Sequence, residues 1–129
     1  MSAEGIRAPD VRAFSLISSL GRMAIGVGLL AAPEHSLRAL GFTDVSPSTV
    51  AIARVAGIRD LVLGGVMLRA LDDPERLLGA TIANTTADAG DTAAFALAAA
   101  AGERDAGVRG MAAAIPATLA GIWVARKLS

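Results

Sequence analysis

Charged residues interrupt the apolar segments of this chain near their midpoints. Three of the four long apolar segments carry them: Arg22 in the first, Arg59 with Asp60 in the second, and Asp88 with Asp91 in the third. A charge at the centre of a bilayer costs about 2.5–3.5 kcal/mol even on insertion scales, so such side chains usually face one another. The pattern therefore predicts membrane helices arranged around a shared polar centre.

The four apolar segments predict an all-α fold, a four-helix up-down transmembrane bundle. We expect the helices at residues 11–32, 47–71, 74–101 and 105–127, and a bilayer span needs about 20 mostly apolar residues. Most of the connections are short, which favours antiparallel neighbours. The whole chain, residues 1–129, is expected to form a single integral-membrane domain. The alternative fold is a soluble, alanine-rich helical bundle.

The connection between the first and second segments is longer than the others. It contains the run EHSLRALGF, in which Leu37, Leu40 and Phe42 are the large apolar residues. Such a piece is expected to lie at the membrane surface, with Gly41 ending a short turn of helix.

Helical spacing and charge balance define the candidate site. Asn84, Asp88 and Asp91 follow i, i+4, i+7 spacing, so they share one face of their helix. Arginine stays protonated and pairs with carboxylates through two parallel hydrogen bonds, so three arginines would balance three aspartates. The candidate polar-centre and ligand-binding residues are Arg22, Arg54, Arg59, Asp60, Asn84, Asp88 and Asp91, with Arg54 and Asn84 as outer members.

This polar centre has two interpretations. Buried ion pairs can fix the register of helices without doing any chemistry, whereas intramembrane charges also mark ligand sites and proton pathways. Catalytic residues stay unassigned at this point. We expect no metal, because the arginines compete for the oxygen ligands that a hard cation needs, and we expect no cofactor.

Composition excludes several classes of function. The chain has no cysteine, which removes disulfides, thiol catalysis and thiolate metal sites. Its 12 basic and 12 acidic residues give a formal net charge of zero. We therefore expect no nucleic-acid partner, since such proteins carry a basic surplus.

Small residues recur along the apolar segments and would allow helices to approach closely in a membrane. The residues expected at such contacts are Gly21, Gly28, Gly57, Gly64, Ala83, Ala87, Gly110, Ala114, Ala117 and Gly121.

The distribution of basic residues predicts the orientation in the membrane. Arg7, Arg12, Arg69, Arg76, Arg126 and Lys127 fall on the side that holds both termini, and Arg38, Arg104 and Arg109 fall on the other. Basic residues concentrate on the cytoplasmic side of a membrane protein. The expected location is the bacterial cytoplasmic (inner) membrane, with both termini in the cytoplasm.

Three functions from different classes fit this pattern. The first is a membrane protein that binds a small lipophilic ligand or a partner helix. The expected partners are the lipid bilayer, a small lipophilic ligand and, separately, further copies of the chain in a homo-oligomer. The second is a cofactor-free membrane enzyme that uses an aspartate as acid or base on a lipophilic substrate. The third is a small proton-linked transporter, for which no inverted repeat is visible in the sequence.

Three runs carry a resemblance to a known family. They are GRMAIGVGLLAAP, ARVAGIRDLVLGGVMLRAL and ADAGDTAAFALAAA, of which the most specific parts are residues 53–61 and 87–91. Over roughly residues 20–125 the chain resembles small four-span actinobacterial membrane proteins of unknown function, and more distantly the DoxX-like membrane proteins. The resemblance implies a four-helix integral membrane protein and no established activity.

Overall fold

The computed structural model describes residues 9–129, so Arg7 and its neighbours lie outside the described part of the chain. Within that part the protein is all-helical and contains no strand. Its five helices are α1 Pro9–Ala31, α2 Pro33–Ala39, α3 Pro47–Ala70, α4 Pro74–Ala100 and α5 Arg104–Leu128. The four long helices agree with the predicted bounds to within two residues. The linking segment adds α2, a short fifth helix.

Local chemistry explains where the helices begin. Proline occupies the first position of α2, α3 and α4, where its missing N–H costs nothing and its φ already suits a helix. The Ser46 hydroxyl accepts a hydrogen bond from the Thr49 amide at 3.2 Å. The Asp73 carboxylate accepts one from the Arg76 amide at 3.1 Å. These caps satisfy amides that have no partner inside the helix.

Two glycines end helices in the left-handed conformation. Gly41 follows α2 with φ of 96° and Gly102 follows α4 with φ of 112°. After Gly102, the Glu103 amide donates to the carbonyl of Ala98 at 3.0 Å, which closes the end of α4. Only glycine adopts this backbone conformation without strain, so these two residues set the turns that follow.

The long helices pack as two antiparallel pairs, α1 with α3 and α4 with α5. A Cβ built on Gly26 of α1 would lie 2.7 Å from the carbonyl oxygen of Gly57 in α3, and one built on Gly64 would lie 2.9 Å from that of Ser19. In the second pair, a Cβ on Gly107 would lie 2.6 Å from the carbonyl oxygen of Phe95. Both pairs therefore depend on glycine, because any side chain would push the backbones apart.

Only some of the small residues expected at close helix contacts lie at such contacts. Gly57, Gly64, Gly110 and Gly121 lie at these helix contacts. Gly21 has no neighbour within 4 Å of a built Cβ, so its place in the expected set was wrong: it lies on the outer face of α1. Gly26 and Gly107 make close contacts that the spacing did not indicate.

Each end of the molecule has its own apolar cluster. One end holds the start of α1 and the end of α5, and we call it the terminal end. The buried residues there are Val11, Met67, Ala70, Leu71, Leu77, Ala80, Val124 and Leu128. Phe14 meets the ring of Trp123 edge-on, with centroids 6.4 Å apart. At the opposite end, the α2 end, Leu29, Leu37 and Ala53 pack together.

The outward faces of the long helices are apolar. Exposed fractions reach 70% for Ile17, 70% for Ile52 and 72% for Leu97, whereas Asp60 and Asp88 are buried. By length and composition, α1 and α5 are apolar enough to cross a membrane. Helices α3 and α4 have 24 and 27 residues and carry the interior charges. The described residues thus combine buried charges at mid-depth with many exposed large apolar side chains.

Candidate functional site: a chain of ion pairs at mid-depth

Arg22 joins three helices at the centre of the molecule. Its guanidinium donates from Nη1 to Oδ1 of Asp60 in α3 at 3.0 Å, and from Nη2 to Oδ1 of Asp88 in α4. The side chains of all three residues are only 9–12% exposed. A buried charge must be paired in this way or it loses its ionised form, so Arg22 and the two carboxylates stabilise one another.

Arg59 extends the chain of ion pairs toward the surface. It donates two hydrogen bonds to Asp91, from Nη1 at 2.7 Å and from Nη2 at 2.8 Å. It also donates from Nη2 to Oδ1 of Asp60 at 3.1 Å. The order is therefore Asp91–Arg59–Asp60–Arg22–Asp88, and we call this set the ion-pair chain.

Exposure rises along the ion-pair chain. The side chains of Arg59 and Asp91 are 38% and 30% exposed, against 10% and 9% for Arg22 and Asp60. The Arg22 end is thus enclosed among α1, α3 and α4, while the Arg59–Asp91 pair opens to the outside between α3 and α4.

Arg54 is not part of the ion-pair chain. It lines an open groove at the α2 end, together with residues of α2. Five residues separate Arg54 from Arg59, a rotation of about 140° at 100° per residue, so the two side chains leave α3 in different directions. Without Arg54 the chain contains two arginines and three aspartates, which is one net negative charge when all are ionised. The expected three-to-three balance was wrong.

Asn84 lies beside the ion-pair chain rather than in it. Its Nδ2 donates to the carbonyl oxygens of Ala80 at 2.9 Å and Leu63 at 3.3 Å. The amide therefore ties α4 to the backbone of α3 one turn below Asp88. Its Oδ1 has no hydrogen-bond partner among the described residues.

A small polar cleft separates the ion-pair chain from the apolar cluster at the terminal end. Its volume is about 10 Å³, and its walls include Ser15, Thr81, Asn84 and Asp88. A volume of about 10–15 Å³ holds one water molecule, so the cleft offers no chamber for an organic ligand. The hydroxyls of Ser15 and Thr81 face no hydrogen-bond partner within residues 9–129.

Sequence reasoning missed the buried hydroxyls. Ser15 and Ser19 are buried on the face of α1 that carries Arg22, with the same i, i+4, i+7 spacing used for the aspartates. Extending that spacing test to serine and threonine would have found them. Residues 9–129 contain no group of three or more histidine and acidic side chains arranged to hold a metal ion.

No family model, curated protein or solved structure matches this chain. The resemblance to DoxX-like proteins therefore stays a prediction, and functional inference rests on the geometry described above.

Proposed function

We propose that this chain is an integral membrane protein whose four long helices cross the bilayer and whose α3–α4 face binds a partner transmembrane helix. The support for a membrane location is the number of exposed large apolar side chains together with two helices long and apolar enough to span. Large apolar side chains such as Ile17, Val55 and Leu119 face outward on the long helices, and soluble monomers rarely expose contiguous apolar surface on that scale.

The mid-depth charges of α3 and α4 are compatible with a bilayer because they are paired with one another and with Arg22. Asp60 and Asp88 both accept hydrogen bonds from Arg22. Asp91 accepts hydrogen bonds from both Nη1 and Nη2 of Arg59. Pairing removes much of the penalty that an isolated charge meets at mid-depth. In this proposal the enclosed end of the ion-pair chain fixes helix register.

The observation that supports a partner helix is the partial exposure of the Arg59–Asp91 pair. A paired but partly exposed guanidinium at mid-depth would face hydrocarbon, which offers it no hydrogen bonds. A second polar surface against the pair removes that penalty. A lipophilic ligand beside Asp88 is less favoured, because the adjacent cleft holds only about 10 Å³.

The surface around Arg59 has the pattern of a helix-packing seam. Ile52, Val55, Arg59, Val62 and Val66 recur at alternating spacings of three and four residues, the repeat by which two helices pack side by side. The four apolar members are all more than half exposed. We call these five residues the α3 seam.

Helix α4 offers small residues next to the seam. Ala83, Ala87, Gly90 and Ala94 recur at i, i+4, i+7 and i+11, and a Cβ built on Gly90 has nothing within 4 Å. Small residues let a neighbouring helix approach closely in lipid. The α3 seam and this stripe together form an open surface beside the Arg59–Asp91 pair.

The occupant that this surface fits best is a second copy of the chain. In a two-fold dimer, the same surface of each copy packs against the other. A residue that contacts a given position on the partner is matched by the reverse contact across the axis. The surface carries one positive and one negative group, so a two-fold axis between the copies brings Arg59 of each toward Asp91 of the other. Charge complementarity is thereby satisfied without any further protein.

Cysteine cross-linking in native membranes tests this arrangement, because the chain has no cysteine of its own. Val62→Cys lies in the α3 seam, and the matched control Leu119→Cys lies on α5. Their exposed fractions are 58% and 63%. We expect mild oxidation to give a disulfide-linked dimer for Val62→Cys and monomer for Leu119→Cys.

The charged pair is tested in the same format. Adding Arg59→Met with Asp91→Leu to Val62→Cys removes the polar part of the surface and should sharply reduce the dimer. Equal cross-linking of both cysteine positions would contradict a specific seam. Recovery of monodisperse protein from the aqueous phase without detergent would contradict the membrane location itself.

A further inference from the structure

An open groove of about 490 Å³ lies at the α2 end, away from the ion-pair chain. We call it the α2 groove. Its walls come from the end of α1, from α2 and from the first half of α3. The residues with charged or ionisable side chains in its walls are Glu34, His35, Arg38 and Arg54, and the rest of its lining is apolar, including Pro33 and Val50. Small-molecule sites typically measure about 300–1,000 Å³.

The two arginines of the groove have no carboxylate partner among residues 9–129, a property that they share with Arg69, Arg104, Arg109 and Arg126. Arg12, Arg22, Arg59 and Arg76 each have a carboxylate within 4.0 Å. Across residues 9–129, no carboxylate lies within that distance of Arg38 or Arg54.

Two unpaired guanidiniums in one groove are suited to an anion. Guanidinium binds phosphate through paired, charge-assisted hydrogen bonds. Glu34 makes the net charge of the groove one positive unit with His35 neutral, so a single anionic group matches it.

The direction of Arg54 brings its charge toward the end of the molecule. Arg54 is seven residues beyond Pro47, the start of α3, which is about 10 Å along the helix axis at 1.5 Å per residue. The Cα–Cβ bond of a helical residue tilts toward the helix N-terminus, and long basic side chains extend from apolar surface toward water. These tendencies agree with the structure, in which Arg54 lines the same groove as Arg38 and His35.

We propose that the α2 groove binds a phosphate group attached to an organic body, with Arg38 and Arg54 holding the phosphate. Ala31, Ala32, Pro33 and Val50 supply apolar contact for the attached carbon chain. Glu34 accepts hydrogen bonds from hydroxyl groups beside the phosphate. Two sources share this chemistry: the headgroup of an anionic lipid and a soluble phosphate ester.

The experiment measures binding to the purified, detergent-solubilised full chain by native mass spectrometry and by the shift in thermal unfolding. The probes are phosphatidylglycerol, phosphatidylcholine, glycerol 3-phosphate and inorganic phosphate. We expect phosphatidylglycerol or glycerol 3-phosphate to bind more tightly than phosphatidylcholine. Binding of the lipid alone identifies a lipid site, and binding of glycerol 3-phosphate with equal affinity identifies a soluble ester.

Two variants and one control locate the site. Arg38→Gln and Arg54→Gln should each weaken binding about tenfold or more, because each removes charge-assisted hydrogen bonds to the phosphate. Arg69→Gln is the matched control: Arg69 is also exposed, but it lies in the last turn of α3 at the terminal end.

The proposal is overturned if no probe binds, or if Arg69→Gln weakens binding as much as Arg54→Gln. All four proteins should show the same unfolding temperature without ligand, since the three side chains are exposed. Repeating the titration with Arg59→Met and Asp91→Leu separates this site from dimer formation, because these changes leave the α2 groove intact.

Discussion

A single carboxylate oxygen holds the two arginines of the ion-pair chain together. Oδ1 of Asp60 accepts from Arg22 at 3.0 Å and from Arg59 at 3.1 Å. Each guanidinium also has an aspartate of its own, so Asp60 is the one member shared by both halves. Its loss would leave two partly buried positive charges with one partner each.

Asp60→Leu should therefore destabilise the protein strongly. Each guanidinium keeps one aspartate, so the expected cost is that of the charge-assisted hydrogen bonds lost with Asp60, about 1.5–3 kcal/mol each. The matched control is Asp72→Leu: Asp72 pairs with Arg12, but its side chain is 84% exposed, and exposed pairs contribute about 0–1 kcal/mol. Thermal unfolding in detergent measures both, and equal losses would contradict a cooperative buried chain.

The Arg22–Asp88 pair should show energetic coupling. The single changes Arg22→Leu and Asp88→Leu each leave a buried charge behind, whereas the double variant removes both. Contacting charged residues couple by about 0.5–3 kcal/mol, so the double variant should lose less stability than the sum of the two. A double-mutant cycle on unfolding temperature checks this, and strictly additive losses would argue against the contact.

The buried hydroxyl of Thr81 should contribute nothing to stability. Thr81 is 2% exposed and its Oγ1 has no hydrogen-bond partner among residues 9–129. Replacing an unsatisfied polar group with an apolar one of the same shape is neutral or stabilising. Thr81→Val is expected to unfold at the same temperature or higher, and a clear drop would show that the hydroxyl is hydrogen-bonded.

At the scale of the helices, close backbone contact decides which elements form pairs. α1 and α3 approach through Gly26, Gly57 and Gly64, and a Cβ on Gly57 would lie 2.8 Å from the carbonyl oxygen of Gly26. Backbone atoms cannot move aside as the end of a flexible side chain can. The pair must therefore separate if either glycine gains a side chain.

Gly57→Ala should cost about 1–3 kcal/mol, the range for overpacking in a close-packed interior. Gly65→Ala, in the same helix, is the control, since a Cβ there has nothing within 4 Å. It should be neutral or stabilising by up to about 1 kcal/mol, because alanine favours a helix more than glycine does. Chemical or thermal unfolding distinguishes the two, and equal effects would contradict the packing.

At the scale of the whole molecule, the orientation expected for the proposed membrane arrangement depends on the basic residues at each end. Among the described residues, Arg12, Arg69, Arg76, Arg126 and Lys127 belong to the terminal end, and Arg38, Arg104 and Arg109 to the α2 end. The α2 groove adds Arg54 to the latter. The excess of basic residues at the terminal end is thus smaller than the count from the sequence, but the terminal end still has more of them than the α2 end.

Reporter fusions test the orientation. A reporter that is active only in the cytoplasm should work when joined at Ser129, and one active only outside should work when inserted at the turn 101–103. This result follows if both termini lie on the basic-rich side. The reverse activities would overturn the orientation, and cytoplasmic activity at both positions would contradict a spanning α5.

The sequence predicted how far along its helix each charged residue lies. It did not predict how each helix is rotated about its own axis relative to its neighbours. Helix lengths and proline-marked starts place Arg22, Asp60 and Asp88 at one level, since each residue adds a constant rise. That argument brought together five of the seven candidate residues. The pairing of each arginine with a particular carboxylate depends on the rotation of the helices about their axes. Close contacts such as that between Gly26 and Gly57 fix this rotation.

Residues far apart in sequence decide the remaining features. Arg54 was expected as an outer member of the polar centre because its long side chain could reach back toward mid-depth, but the structure places it in a groove completed by α2. The exposure of Arg59 and Asp91 likewise follows from the looser packing of α3 on α4 compared with the glycine-mediated pairs. A local pattern determines where a side chain lies on its own helix, and only the neighbouring helices determine whether it is enclosed.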